Sequence, residues 1–224
     1  MKIPVVIATH NRLELLKQTI DSLKKNSDNE IEIIVVDDAS TESGVAKYFD
    51  SLENVKFFHF ADNFGVARVK NKGIELASPS DYIHICDNDI YYLPHWDIKL
   101  IQVLETYEDI GLVGGKRHSH HRIYETRKML DDEVFILENQ PGYSFFMRRE
   151  LLNEIGGFEV NDPKAFFHAD SVMCERVKAK GKLLGAVNPP VIYHCGINNF
   201  QGLKASDYPE MQTISQLHPE IKFL

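Results

Sequence analysis

An α/β fold, doubly wound about a mostly parallel central sheet with helices on both faces, is predicted by three observations. Short β-rich runs alternate with segments of helical periodicity through the first half of the 224 residues. Polar residues capable of chemistry stand directly after the strand-like runs, at the carboxyl ends where such sheets bind ligands. Glycines close two of the helical segments, at Gly156-Gly157 and at Gly181.

The elements follow in order. Ile3–Thr9 reads as a strand. Leu13, Leu16, Ile20 and Leu23 then recur at three- and four-residue spacing, predicting an amphipathic helix over Arg12–Asn26. Ile31–Val36 is a β-branched run that ends in Asp37-Asp38. A short helix is expected over Ser43–Leu52, a strand over Val55–Phe60 and a helix over Gly65–Ala77. Tyr82–Cys86 is a strand that delivers the chain to Asp87-Asn88-Asp89, and Trp96–Tyr107 is a helix. In the second half, strands are expected at Ile110–Gly115, Val134–Leu137, Tyr143–Met147, Leu183–Val187 and Val191–His194. Helices are expected over Arg149–Ile155 and Ala165–Lys180. The basic, histidine-rich stretch Lys116–Lys128 has no apolar period and reads as a mobile loop. Residues 198–224 read as a tail, either a lid or a docking arm.

With 43% hydrophobic and 26% charged residues, the chain fits one large domain, or one domain plus a small appendage. The division expected is 1–197, with a ligand-binding half at 1–115 and a second half at 116–197. A net charge of −8 argues against a general nucleic-acid binder. Three cysteines without a CxxC pattern suggest free thiols and a cytoplasmic setting. No apolar run approaches the roughly 20 residues of a membrane span, so any membrane contact is expected to be peripheral.

The aspartates of Asp87-Asn88-Asp89 are the economical means of holding Mg²⁺ or Mn²⁺ while leaving positions for phosphate oxygens. A solvated turn capping the next helix is the plainer reading. The company along the chain favours the first. Val5-Val6-Ile7-Ala8-Thr9-His10-Asn11-Arg12 is followed by Ile34-Val35-Val36-Asp37-Asp38-Ala39-Ser40, Asn63-Phe64-Gly65-Val66-Ala67 and Lys70-Asn71-Lys72-Gly73-Ile74. Asp87-Asn88-Asp89, Ile155-Gly156-Gly157-Phe158-Glu159, Asp170 with Arg176 and Gly181, and His194 complete the set. From about Ile3 to about Gly196 the chain resembles a family-2 glycosyltransferase with the Rossmann-like GT-A fold.

That resemblance implies transfer of a sugar from a nucleotide diphosphate donor, a UDP-sugar in most relatives, to an acceptor hydroxyl with inversion. It implies donor contacts at Thr9, Asn11, Arg12, Asp37, Asp38, Asn63, Arg68, Lys70, Asp87 and Asn88. Asp37 is expected at the base, although Asp38 or Ser40 would also suit a helix cap. Lys70 stands where the family usually has arginine, so Arg68 is an alternative cation for the diphosphate. Asp89 is implied as metal ligand, with Asp87 beside it and His194 as a third. Asp170 is implied as general base, in His168-Ala169-Asp170 where relatives carry Glu-Asp. The missing first acid keeps a retaining outcome open. Trp96 and His168 are candidate acceptor contacts, with core burial the other reading of Trp96. The expected acceptor is a glycan or lipid-linked saccharide. Alternatives are glycosylation of a nucleic-acid base or other anionic macromolecule through the basic loop, a nucleotidyltransferase, and a non-catalytic sugar-nucleotide-binding protein.

Overall fold

The computed structural model describes residues 1–115, 122–160, 165–196 and 214–223. The first six strands are β1 (Lys2–Thr9), β2 (Glu30–Asp38), β3 (Val55–Phe60), β4 (Tyr82–Asp87), β5 (Ile90–Tyr92) and β6 (Ile110–Gly114). They are followed by β7 (Ile123–Met129), β8 (Asp132–Leu137), β9 (Ser144–Arg148), β10 (Leu183–Asn188) and β11 (Ile192–His194). The helices are α1 (Leu13–Asn26), α2 (Val45–Asp50), α3 (Val66–Leu76), α4 (Trp96–Thr106), α5 (Arg149–Ile155) and α6 (Ala165–Ala179).

Nine strands form one sheet in the order β3-β2-β1-β4-β9-β6-β10-β8-β7. Only β9 and β8 run against the others, because each pairs antiparallel with both its neighbours. Alternate strand residues face opposite layers. Ile3, Val5 and Ile7 pack with Leu16, Ile20 and Leu23 of α1 and with Trp96 and Leu100 of α4. Val6 and Ala8 pack instead with α3, α5 and α6 through Ala67, Leu151 and Met173. The sheet is therefore covered on both faces, as its near-continuous apolar strands require. No helix among the described residues is long and apolar enough to cross a membrane.

Two elements depart from the expectations. Ile123–Met129 is an edge strand, β7, where a mobile loop was expected; positions 116–121, with His118, His120 and His121, lie outside the described residues. Its side chains are mostly exposed on both faces, so no alternation marks it. It is held by its antiparallel ladder with β8, with Lys128 paired across the strands with Glu133; Arg127 bonds Glu125 on its own strand and Asp109 just before β6. Arg127 and Lys128 of the basic stretch are thus ion-paired on the far edge of the sheet, while Arg122 lies over the Tyr124 ring. The second departure is β5, three residues long, which pairs antiparallel with β11 outside the main sheet and sets Ile90 opposite His194.

Beneath the Asp87–Asp89 turn lies a buried polar core. His84 on β4 is wholly buried against Tyr92, Trp96 and Phe146, with Nε2 3.0 Å from the Tyr92 hydroxyl. Burial pushes its pKa from 6.5 down to about 3, a backbone hydrogen bond with Phe145 opposing it only in part. The unfolded chain protonates this histidine near pH 6.5 and the folded chain does not, so stability is intact above that pH and falls on acidification toward about 3. Between pH 6.5 and 4 the loss is roughly 3 kcal/mol. His84→Phe should flatten that stretch of the urea-stability curve against pH; an unchanged slope would reject this origin of acid sensitivity.

Candidate active site

The parallel registers bring three strand ends to one level, with Thr9 beside Asp37 and Ala8 beside Asp87. A cleft of about 470 Å³ opens there, with Thr9, Asp38, Asn63, Asp87, Asn88 and Asp89 among its polar lining and Val66 and Val69 as apolar wall. The residues predicted from four separate stretches of sequence are therefore brought together.

The Asp37-Asp38 pair is divided between two jobs. Asp37 is 1% exposed and does not line the cleft; its carboxylate accepts the Ser40 hydroxyl and N–H and contacts His59 Nδ1 at 2.7 Å. The structure thus places Asp38, rather than the favoured Asp37, at the cleft wall. Asp38 accepts backbone N–H groups from Phe64 at 2.7 Å and Gly65 at 2.9 Å, fixing the turn before α3. Gly65, at φ +85°, makes that turn in a conformation L side chains rarely adopt.

Asn11 also acts through the backbone. Its Oδ1 accepts the N–H groups of Thr41 and Glu42, and its own N–H donates to Ser40 Oγ. Asn88 ties the paired aspartates to β1: its amide donates to Thr9 Oγ1 at 2.7 Å and Asn11 O at 2.9 Å, while its carbonyl accepts the Thr19 hydroxyl. Asn11 shapes the cleft through the backbone, while Asn88 both ties the strand ends together and lines the cleft. Asn88→Ala should destabilise the fold by roughly 1–3 kcal/mol, since it leaves buried groups unpaired. A denaturation midpoint equal to wild type would contradict this.

Lys70 is 4% exposed, with Nζ 2.8 Å from both Asp87 Oδ1 and the Gly142 carbonyl. Its ammonium is committed to protein partners, so it joins the Asp87–Asp89 turn to the second half instead of facing a ligand. Neighbouring Asn71 bonds both the N–H and the carbonyl of Phe158, and Arg176 bonds Gly157 O and Glu159. The Gly156–Glu159 turn is thereby pinned between α3 and α6. Asp170 lies in α6, half-buried, with Oδ1 accepting the Ser171 N–H. A Cβ built on Gly142 would come within 2.6 Å of Asp170 Cβ, so the absence of a side chain there lets the β8–β9 connection close on α6.

Asp89 sits at the centre. Its Oδ2 lies 2.6 Å from Arg12 Nη1 and 3.2 Å from His194 Nε2. The backbone bond from Cys195 N–H to Asp89 O, 2.7 Å, holds the two segments together. Tyr143 stacks on the His194 ring, centroids 4.9 Å apart. Burial works against ionisation of Asp89, but His194 and Arg12 outweigh it and hold the carboxyl below its ordinary range. Burial likewise lowers the His194 pKa, and Asp89 more than reverses that, leaving it raised.

The donor set suits a hard cation. Asp89 Oδ1 is buried without a hydrogen bond among the described residues, and Asp87 Oδ1 has only the Lys70 contact, outside hydrogen-bond geometry. An unpaired buried carboxylate oxygen needs a partner, and a hard divalent cation is one that carboxylate and imidazole together can take. Asp89 and His194 offer one oxygen and one nitrogen side by side, although no group of three His, Cys, Asp or Glu ligands is assembled among the described residues.

Other expectations fare differently. Arg68 is exposed and lies over the Phe64 ring, 5.6 Å from its centroid. Trp96 is wholly buried, its indole N–H donating to Ser27 Oγ, so it offers no face to a sugar and belongs to the core. The side chain of His168 lies outside the described residues. His10, Gly142, Tyr143 and Gly196 are part of the site without having been expected. Only His10 carried a signal, its place inside the first strand-end motif; the others gain their roles from packing between distant elements.

Residues 5–171 match the family described as "Glycosyl transferase family 2". An uncharacterised glycosyltransferase of Bacillus subtilis, YwdF, is 28% identical over 172 residues, 72% of this chain and 63% of its own length. The chondroitin synthase of Escherichia coli is 29% identical over 147 residues, 61% of this chain and 21% of its own. The chain thus spans less than two thirds of either relative. Among solved structures, residues 1–349 of S. aureus TarS align with TM-score 0.61 and 19% identity over 86% of this chain and 60% of that one. A mannosyltransferase from Pyrobaculum calidifontis, solved with GDP-mannose and Mn²⁺, aligns with TM-score 0.60 and 18% identity over 81% of this chain and 53% of that one. These likenesses show a common GT-A fold.

Proposed function

Because the chain belongs to glycosyl transferase family 2, we propose that it moves a sugar from a UDP-sugar to an acceptor hydroxyl, with a divalent cation at Asp89 and Asp170 as general base. The observation that carries this reading is the convergence of Thr9, Asp38, Asp87 and Asp89 on one cleft, with a buried Asp89 oxygen that has no hydrogen bond among the described residues.

Thr9 and the Asp38 wall, with Val66 and Val69 beside them, receive the nucleobase and ribose; Asn63 borders the same space. Asp89 and His194 would hold Mn²⁺ or Mg²⁺, with Asp87 alongside. When bound, that ion supplies positive charge to the departing diphosphate. Asp170 takes the proton of the acceptor hydroxyl as its oxygen attacks the anomeric carbon from the face opposite the leaving group, which inverts the centre. Its Oδ1 is oriented by Ser171 N–H. The acceptor class is a glycan or lipid-linked saccharide, reached from the cytoplasm, with any membrane contact peripheral.

The test is calorimetric titration with a panel of nucleoside diphosphates, in Mn²⁺ and then in EDTA. UDP should bind selectively and more tightly with metal. Equal binding of all diphosphates, or binding indifferent to EDTA, would overturn the donor or the metal assignment respectively.

A further inference from the structure

Arg12 occupies a position that helix formation does not explain. It is the N-cap residue of α1, where Ser, Thr, Asp or Asn would cap the first turn, and it makes no side-chain cap. Glu42 supplies that service from another segment, accepting the Leu13 N–H at 3.1 Å. Both Asn11 and Arg12 have left-handed backbones, φ 55° and 59°, a conformation tolerated by asparagine but disfavoured for arginine. The surroundings enforce it: Asn11 is bonded through its N–H, its carbonyl and its side chain to Ser40, Asn88, Thr41 and Glu42. Backbone strain held by so many bonds is characteristic of functional positions.

What this geometry achieves is the aim of the side chain. Arg12 reaches across the cleft to Asp89 Oδ2 at 2.6 Å, sharing that oxygen with His194 and leaving Oδ1 unbonded. Gly196 makes room for the pair, since a Cβ there would lie 1.9 Å from Asp89 Oδ2 and 2.9 Å from Arg12 Nη1. Lys70 and Arg12, the cations paired with Asp87 and Asp89, differ in freedom. Lys70 is buried and pinned by Gly142, whereas the Arg12 side chain is 47% exposed and lines the open cleft. Arg12 can leave Asp89 by side-chain rotation alone; Lys70 cannot leave Asp87 without unpacking.

We infer that Arg12 is a built-in stand-in for the divalent cation, holding Asp89 in the metal-free protein and turning onto the donor diphosphate when Asp89 takes up metal. This rests on the proposed metal role of Asp89. A guanidinium 2.6 Å from the carboxylate repels an incoming cation, and a diphosphate offers it an alternative anion with two-pronged geometry. The stand-in thus opposes metal binding alone and favours metal and nucleotide together.

The test separates two signs that simple damage would not. Mn²⁺ binding without nucleotide is measured by electron paramagnetic resonance of the free ion, and UDP binding in EDTA by calorimetry, for wild type and Arg12→Gln. Arg12→Asn, which suits the left-handed backbone, serves if the glutamine variant fails to fold. The expected result is Mn²⁺ binding tightened by roughly threefold to tenfold, UDP binding weakened, and both restored by Arg12→Lys. Mn²⁺ affinity unchanged or reduced in the variant overturns the inference while leaving the metal site standing. UDP affinity unchanged overturns the transfer to diphosphate. Mn²⁺ binding absent from wild type and variant alike overturns the metal assignment and the inference with it.

Discussion

Asp170→Asn is expected to leave UDP binding near wild type while transfer falls by roughly a hundredfold or more, the range for loss of a general base. The substitution conserves shape: the side-chain oxygen can still accept the Ser171 N–H, and the close packing against Gly142 is undisturbed. What disappears is the capacity to accept a proton from the acceptor hydroxyl. The experiment compares turnover of a UDP-sugar in the presence of an acceptor with nucleotide affinity measured by calorimetry. Turnover at the wild-type rate would remove Asp170 from the mechanism. A parallel loss of nucleotide affinity would instead give it a structural role in closing α6 onto the β8–β9 connection.

Asp89→Ala has the second large effect. The residue is the meeting point of Arg12 and His194, so its removal frees two partners and takes away the proposed cation ligand. Metal-dependent enhancement of UDP binding should vanish, and transfer should fall by at least a hundredfold, because stabilisation of the leaving diphosphate is lost. Binding in EDTA should change little, or rise where Arg12 is set free. An enhancement by Mn²⁺ equal to wild type would place the ion elsewhere.

The sequence was most legible where chemistry follows directly on a strand. Thr9, Asp38, Asp87 and Asp89 could be placed because a buried parallel strand announces itself as a continuous apolar run, and its carboxyl end is where ligands bind. Adjacent residues at one strand end were harder to separate: Asp37 and Asp38 differ only in which way the side chain turns, and Ser40 with His59 claims the first. Trp96 was ambiguous for the same reason, since an aromatic after a motif packs inward or outward without a change in local pattern. The strand β7 was hidden because it is an edge strand whose side chains are mostly exposed, leaving no hydrophobic alternation to read. Tyr143, Gly142 and Gly196 gain their roles only by contacts with residues far along the chain, which no local pattern encodes.

The position of β9 between β4 and β6 bears on the order in which the molecule can be made. During synthesis β1 to β4 can assemble from contiguous chain, each laid beside a partner already present. Strand β6, the next strand of this sheet along the chain, finds no partner in that array, since its neighbours, β9 and β10, have yet to be synthesised. Helix α4 can already cover Ile110 and Val113, but the hydrogen-bonding edges of β6 stay open until residues 144–148 arrive beside β4. The nascent first half is therefore left with an unfinished edge, and its completion awaits the segment that also brings Gly142 to Lys70.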